Sequence, residues 1–92
     1  MEVHFYAMLR DIVGGKVVTT FDLPAGATVK QLLAAMIERF PALRDKLLDQ
    51  NDQLYNYVNL FIDGRDVRYL QNMDTILEPD QVIKVFPAVG GG

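Results

Sequence analysis

Three of the seven glycines stand together as Gly90-Gly91-Gly92, directly after the strand-like run Gln81-Val82-Ile83-Lys84-Val85-Phe86-Pro87. The chemistry this ending offers is that of a carboxylate on a backbone without side chains. Glycine contributes nothing to a core and loses more conformational freedom than any other residue when fixed. A run of it makes physical sense where the carboxylate must be drawn into a narrow channel that any β-carbon would obstruct. Chemistry at the Gly92 carboxylate is therefore the leading expectation. The bland alternative is a frayed chain end or a cloning remnant. Extended at roughly 3.3–3.6 Å per residue, residues 88–92 span about 17 Å, enough for the carboxylate to enter a partner's pocket while the globule docks outside.

The other chemistry-bearing residue types are sparse. The chain has no cysteine, which excludes disulfides, a thiolate nucleophile, Cys-ligated zinc and ordinary iron–sulfur clusters. Any sulfur chemistry must use borrowed sulfur. His4 is the single histidine, so neither a His-pair metal site nor a Ser-His-Asp arrangement can be built on a second one, and it reads as a polar residue of an outer sheet face. Asp45, Asp49 and Asp52 lack the glycine and terminal glutamate of a calcium-binding loop and are better explained as solvation of a surface loop. Gly14-Gly15-Lys16 is no phosphate-binding loop, because Val17 stands where Ser or Thr is required and a strand follows instead of a helix. No metal or bound cofactor is expected.

Bulk properties point the same way. Ninety-two residues, half of them apolar, suffice for one compact core. Nine Lys and Arg against twelve Asp and Glu leave a net charge of −3 with no basic cluster to follow a phosphate backbone, so nucleic acid is not an expected partner. No stretch approaches the ~20 apolar residues of a membrane span, and Met1-Glu2-Val3-His4 lacks the basic start of a secretory signal. A cytoplasmic protein with no membrane association is expected.

The elements that must position the ending are legible from periodicity. Val3, Phe5, Ala7 and Leu9 alternate with His4, Tyr6 and Met8, which predicts a first strand. Gly14-Gly15 lies in a predicted turn over residues 11–16, and Val17, Thr19, Phe21 and Leu23 resume the alternation, so residues 2–23 are expected to form a β-hairpin. Thr28 with Gln31 forms a capping-box signature. Val29, Leu32, Leu33, Met36, Ile37 and Phe40 then make one helical stripe that Pro41 ends. Residues 42–48 suit a further helical turn and 49–53 a surface loop. Tyr57 to Ile62 reads as a strand, Asp63-Gly64 as a tight turn into a short strand over 66–69, and Glu78-Pro79-Asp80 as the turn before a last strand over 81–86.

This order predicts an α+β fold of the β-grasp, or ubiquitin-like, kind: a mixed sheet of four to five strands covered on one face by one main helix, with the first and last strands parallel at its centre. Residues 1–87 form the expected domain and residues 88–92 a flexible Gly-rich tail. With Ile83 and Val85 facing the helix, Val82, Lys84 and Phe86 face outward, and Phe61 with Tyr6 or Met8 falls on the same outer surface. An apolar patch there suits docking of another protein. The alternative is aromatics half-buried at a sheet edge.

The ending Phe86-Pro87-Ala88-Val89-Gly90-Gly91-Gly92 resembles the aromatic-Pro-x-x-x-Gly-Gly ending of the MoaD/ThiS family of ubiquitin-fold sulfur carriers. The segment Val58-Asn59-Leu60-Phe61-Ile62-Asp63-Gly64, followed by Asp66-Val67-Arg68-Tyr69, is similar to the longer members, the CysO-type carriers and the small archaeal modifier proteins. Gly90 departs from the Ala, Ser or Thr that such proteins often carry, and leaves the Gly91-Gly92 pair in register. The resemblance implies that an E1-like enzyme, using ATP and magnesium, converts the Gly92 carboxylate to an acyl adenylate, from which sulfur transfer gives a thiocarboxylate. It implies that the carrier has no catalytic residue of its own, that Gly90 and Gly91 let the backbone thread the channel, and that Phe61 and Phe86 contribute to docking, to which the strand-face pattern adds Tyr6 and Met8. The implied acceptor is an enzyme of the molybdopterin synthase large-subunit or cysteine synthase type.

Two other readings share these residues. A protein modifier would use the same activation, with a lysine amine of a target capturing Gly92 as an isopeptide. A plain interaction module would need only the outer aromatics, and removal of Gly91 and Gly92 would leave it intact.

Overall fold

The computed structural model describes residues 1–87. Five strands make one mixed sheet: β1 (Glu2–Phe5), β2 (Val18–Thr20), β3 (Asn59–Ile62), β4 (Arg65–Asp66) and β5 (Val82–Phe86), in the spatial order β2-β1-β5-β3-β4. β1 and β5 run parallel at the centre, with Val3 opposite Ile83 and Phe5 opposite Val85, and the neighbouring pairs are antiparallel. This is the β-grasp arrangement. The expected tail, residues 88–92 with Gly90, Gly91 and Gly92, lies outside the described residues.

Helix α2 (Val29–Arg39) covers the inner face of the sheet. The hydroxyl of Thr28 accepts from the Gln31 backbone N–H, and the Gln31 side chain accepts from the Thr28 N–H at 2.8 Å, closing the expected capping box. Such a cap contributes about 0.5–2 kcal/mol. Val29, Leu32, Leu33 and Met36 are buried against Val3, Phe5, Leu60, Ile62, Ile83 and Val85 from the strands. Each such side chain contributes roughly 1.5–3 kcal/mol of transfer free energy, so this stripe largely fixes where the helix lies. Backbone bonds from Val29 N–H to the Thr75 carbonyl (3.0 Å) and from Leu77 N–H to the Ala27 carbonyl (2.8 Å) tie the start of the helix to the segment leading into β5. As expected, helical structure resumes after Pro41, first as a 3₁₀ turn (Pro41–Leu43) and then as α3 (Arg44–Leu47), which buries Leu43 and Leu47.

The first hairpin needs correction. β1 and β2 pair antiparallel, but the first strand ends at Phe5 rather than Leu9, and the connection holds a short helix, α1 (Met8–Ile12). Ala7 turns the chain with φ 55° and ψ −134°, the values of the first central residue of a type II′ turn, and the Leu9 N–H donates to the Tyr6 carbonyl at 3.2 Å. The physical reason lies in Leu9 and Val13: both are buried, and their i, i+4 spacing is that of a helical turn. Val3 and Phe5 alternate as strand residues, and Leu9 only continues the rhythm by coincidence.

The second hairpin stands, in shorter form. Asp63 (φ 49°) and Gly64 (φ 83°) both occupy the left-handed region that a two-residue hairpin turn demands. β4, however, has two residues, and Val67–Tyr69 forms a 3₁₀ turn instead of strand. The Asp66 carboxylate accepts the Arg68 backbone N–H at 2.9 Å, which curls the chain and lets Val67 reach the core. The Asp63 carboxylate also accepts the Val82 N–H at 2.9 Å, pinning the hairpin to the start of β5.

Candidate functional site

β5 is the element on which the candidate site is built, because it occupies the middle of the sheet and leads directly to Pro87. Its side chains alternate as expected: Ile83 and Val85 are buried, Lys84 is exposed, and Val82 and Phe86 are half-buried on the outer face. The register places one residue from every strand in a single outer row. Val18, His4, Lys84, Phe61 and Asp66 are successive neighbours from β2 across to β4.

One step nearer to Pro87, three aromatic rings meet. Tyr6 and Phe86 stack with centroids 4.3 Å apart and 7° between planes, and Phe61 meets Phe86 edge-on at 5.7 Å. Tyr6 lies beyond the strand proper, yet its N–H still donates to the Val85 carbonyl at 3.3 Å, which keeps its ring over β5. Of the four expected docking residues the structure therefore gathers three. Met8 stands apart in origin: it follows the Ala7 turn, sits in the first turn of α1 and is 46% exposed. The aromatics are half-buried, but by packing on one another over the central strands rather than at a sheet edge.

Phe61 also lines a surface groove of about 330 Å³ with Gly64, Arg65, Asp66, Tyr69 and Leu70. Tyr69 is 88% exposed there, so the apolar surface runs on from the ring cluster toward the β3–β4 turn. At the Pro87 end, Tyr55 and Tyr57 stack at 4.7 Å with 12° between planes, two residues before Asn59, the neighbour of Phe86. The Tyr57 hydroxyl is held above the ordinary tyrosine value, chiefly by partial loss of water and then by the neighbouring Tyr55. Sequence reading took Tyr57 only as a strand start. The chain there closes a turn instead, with the Val58 N–H donating to the Tyr55 carbonyl at 3.0 Å, so the strand begins at Asn59 and the meeting of the two rings was not legible from spacing.

Electrostatically the outer face is sparse. His4 lies on it as expected, with Nε2 shielded, no hydrogen-bond partner among the described residues, and Glu2 Oε2 at 4.0 Å. Asp66 is engaged by Arg68, whose Nε lies at 3.7 Å and whose guanidinium also donates to the Asn59 side chain at 2.9 Å. Lys84 has no ion-pair partner among the described residues. No group of three or more His, Cys, Asp or Glu able to hold a metal occurs among the described residues. A second groove, about 440 Å³, lies between α2 and α3 and is lined by Leu33, Ile37, Arg44, Leu48 and Met73. No helix among the described residues is long and apolar enough to cross a membrane.

Known proteins resemble the chain along nearly its whole length. The ThiS family model matches residues 3–92. The chain is 30% identical over 92 residues to small archaeal modifier protein 3 of Haloferax volcanii, covering 100% of this chain and 98% of that protein. It is 27% identical over 88 residues to the sulfur carrier protein CysO of Mycobacterium tuberculosis, covering 92% and 90%. The crystal structure of the Amycolatopsis orientalis BexX/CysO complex contains a chain that superimposes with a TM-score of 0.86 at 23% identity, covering 99% and 98%, which speaks to the fold.

Proposed function

Since this chain belongs to the ThiS family, whose members are non-catalytic carriers, we propose that its reacting group is the carboxylate of Gly92 and that an E1-like enzyme activates it with ATP and magnesium. The carboxylate oxygen attacks the α-phosphorus and pyrophosphate leaves, giving an acyl adenylate. Hydrosulfide then attacks the acyl carbon, the bond from carbon to the phosphoryl oxygen breaks, and AMP departs, leaving a thiocarboxylate and a released proton. The activation is needed because a carboxylate is a poor acyl donor, whereas AMP is a competent leaving group. Gly90 and Gly91 let the backbone pass a channel too narrow for β-carbons. Tyr6, Phe61 and Phe86 form the docking face, with Met8 at its margin.

The observation that carries the reading is that the family match extends through the Gly91-Gly92 pair. The acceptor is an enzyme that builds sulfur into a small molecule, as in molybdopterin or cysteine biosynthesis, and the chemistry takes place in the cytoplasm. A second reading has its own support in the 30% identity to a small archaeal modifier protein: capture of the same activated Gly92 by a lysine of another protein.

Incubating the full chain with the E1-like enzyme of the source organism, ATP, magnesium and sulfide tests this. The intact mass is expected to rise by the difference between one sulfur and one oxygen atom. Deleting Gly91 and Gly92 is expected to abolish the change. An unchanged mass for the full chain under conditions where the enzyme modifies another carrier would overturn the proposal. Isopeptides on cellular proteins, lost in the same deletion, would establish the modifier role.

A further inference from the structure

Lys84 occupies the centre of the outer sheet face, in the middle strand, with His4 as its neighbour on β1 and Phe61 on β3. Its ammonium is exposed and no carboxylate of the described residues pairs with it. Of the acids nearest in the pattern, Asp66 faces Arg68, and Glu2 lies on β1 two residues from His4 and makes no ion pair with Lys84. Lys84 is therefore a cation without an ion-pair partner among the described residues, set beside the aromatic cluster on a chain whose net charge is −3.

A protein seated over Tyr6, Phe61 and Phe86 also removes water from Lys84. Desolvating an ammonium without a counter-charge is costly, while a fully enclosed ion pair with good geometry recovers that cost and fixes orientation. We propose that the partner surface that docks on this face presents a carboxylate to Lys84 within an otherwise apolar contact, and that this ion pair, more than the aromatic contact, sets which partners are accepted. The inference rests on the docking reading above and deepens it. The same charge disfavours a second copy of the chain as occupant, because two-fold pairing of this face about its centre opposes Lys84 with Lys84.

The test measures binding of the full chain to the purified E1-like enzyme of the source organism, at low and high salt, for the wild type and for Lys84→Gln, Lys84→Glu and Lys46→Glu. Lys46 lies on α3, away from the sheet face, and makes the same charge change. Denaturation midpoints for each variant establish that the fold is retained. Affinity is expected to fall on the order of 10- to 100-fold for Lys84→Glu, less for Lys84→Gln, and to stay near wild type for Lys46→Glu. Wild-type affinity is expected to weaken with salt, and Lys84→Gln to lose most of that dependence. If wild type is bound and adenylated while Lys84→Glu binds equally well, the ion pair is refuted and the carrier reading stands. If wild type is neither bound nor adenylated, the carrier reading itself fails and takes this inference with it. Self-association of the wild type in sedimentation, abolished by Lys84→Glu, would also overturn it.

Discussion

The phenol of Tyr6 and the phenyl of Phe86 lie face to face at 4.3 Å although they belong to opposite ends of the sequence. The parallel pairing of β1 with β5 creates this contact, and Phe61 completes it from β3. The same three rings thus hold the sheet together and form its outer face. A double-mutant cycle with Tyr6→Ala and Phe86→Ala is expected to give a coupling of about 0.5–1.5 kcal/mol in urea denaturation. Strict additivity would mean that the stack contributes nothing beyond burial.

Ala7 is exposed and holds φ 55° and ψ −134°, a conformation natural to glycine. Strain of this kind costs about 1–3 kcal/mol, more than the roughly 0.5–1 kcal/mol of extra chain entropy that glycine brings to the unfolded state. Ala7→Gly is therefore expected to raise the thermal midpoint by a few degrees. A fall in the midpoint would mean that the turn is not strained.

Thr19 is a second site where a substitution should help. It faces the core opposite Val3, is 8% exposed, and its hydroxyl finds no partner among the described residues. Thr19→Val keeps the shape and removes an unpaired polar group, so folding stability is expected to increase by about 1 kcal/mol. A loss of stability in calorimetry would reveal that the hydroxyl is hydrogen-bonded to water.

Tyr57 supplies an optical test. Its ionisation is displaced above the ordinary value of 10.0 by loss of water and by Tyr55. Because the folded state holds this proton more tightly, the associated stability is present below pH 10 and is lost as the pH rises through the folded-state value. The difference between the phenolate absorbance titrations of wild type and Tyr57→Phe is expected to show a group titrating above pH 10. Tyr55→Phe is expected to bring that transition down.

The sequence was most informative where one local rule had no competitor. The Thr28–Gln31 box, the Val29 to Met36 stripe and the inward Ile83 and Val85 are all present where periodicity placed them. It misled where two periods overlapped. Leu9 satisfies both the alternation begun by Val3 and Phe5 and the helical spacing to Val13, and only burial against the finished core decides between them. Val67 failed for a related reason, since the Asp66 side chain offered the backbone a turn that competes with strand pairing. The outer face could be anticipated as a set of positions, but not as a contact. Register fixes who neighbours whom, and a period-2 pattern does not contain register.

β5 has hydrogen-bonded neighbours on both sides, β1 running parallel and β3 antiparallel, and it is the strand from which the chain continues past Pro87. Tension applied at that point acts along the strand axis and loads both ladders in shear, so many bonds must yield together rather than one after another. A partner that grips the far end and tugs therefore meets a mechanically stiff anchor. Such a globule can be seized, turned over and released many times without being unravelled.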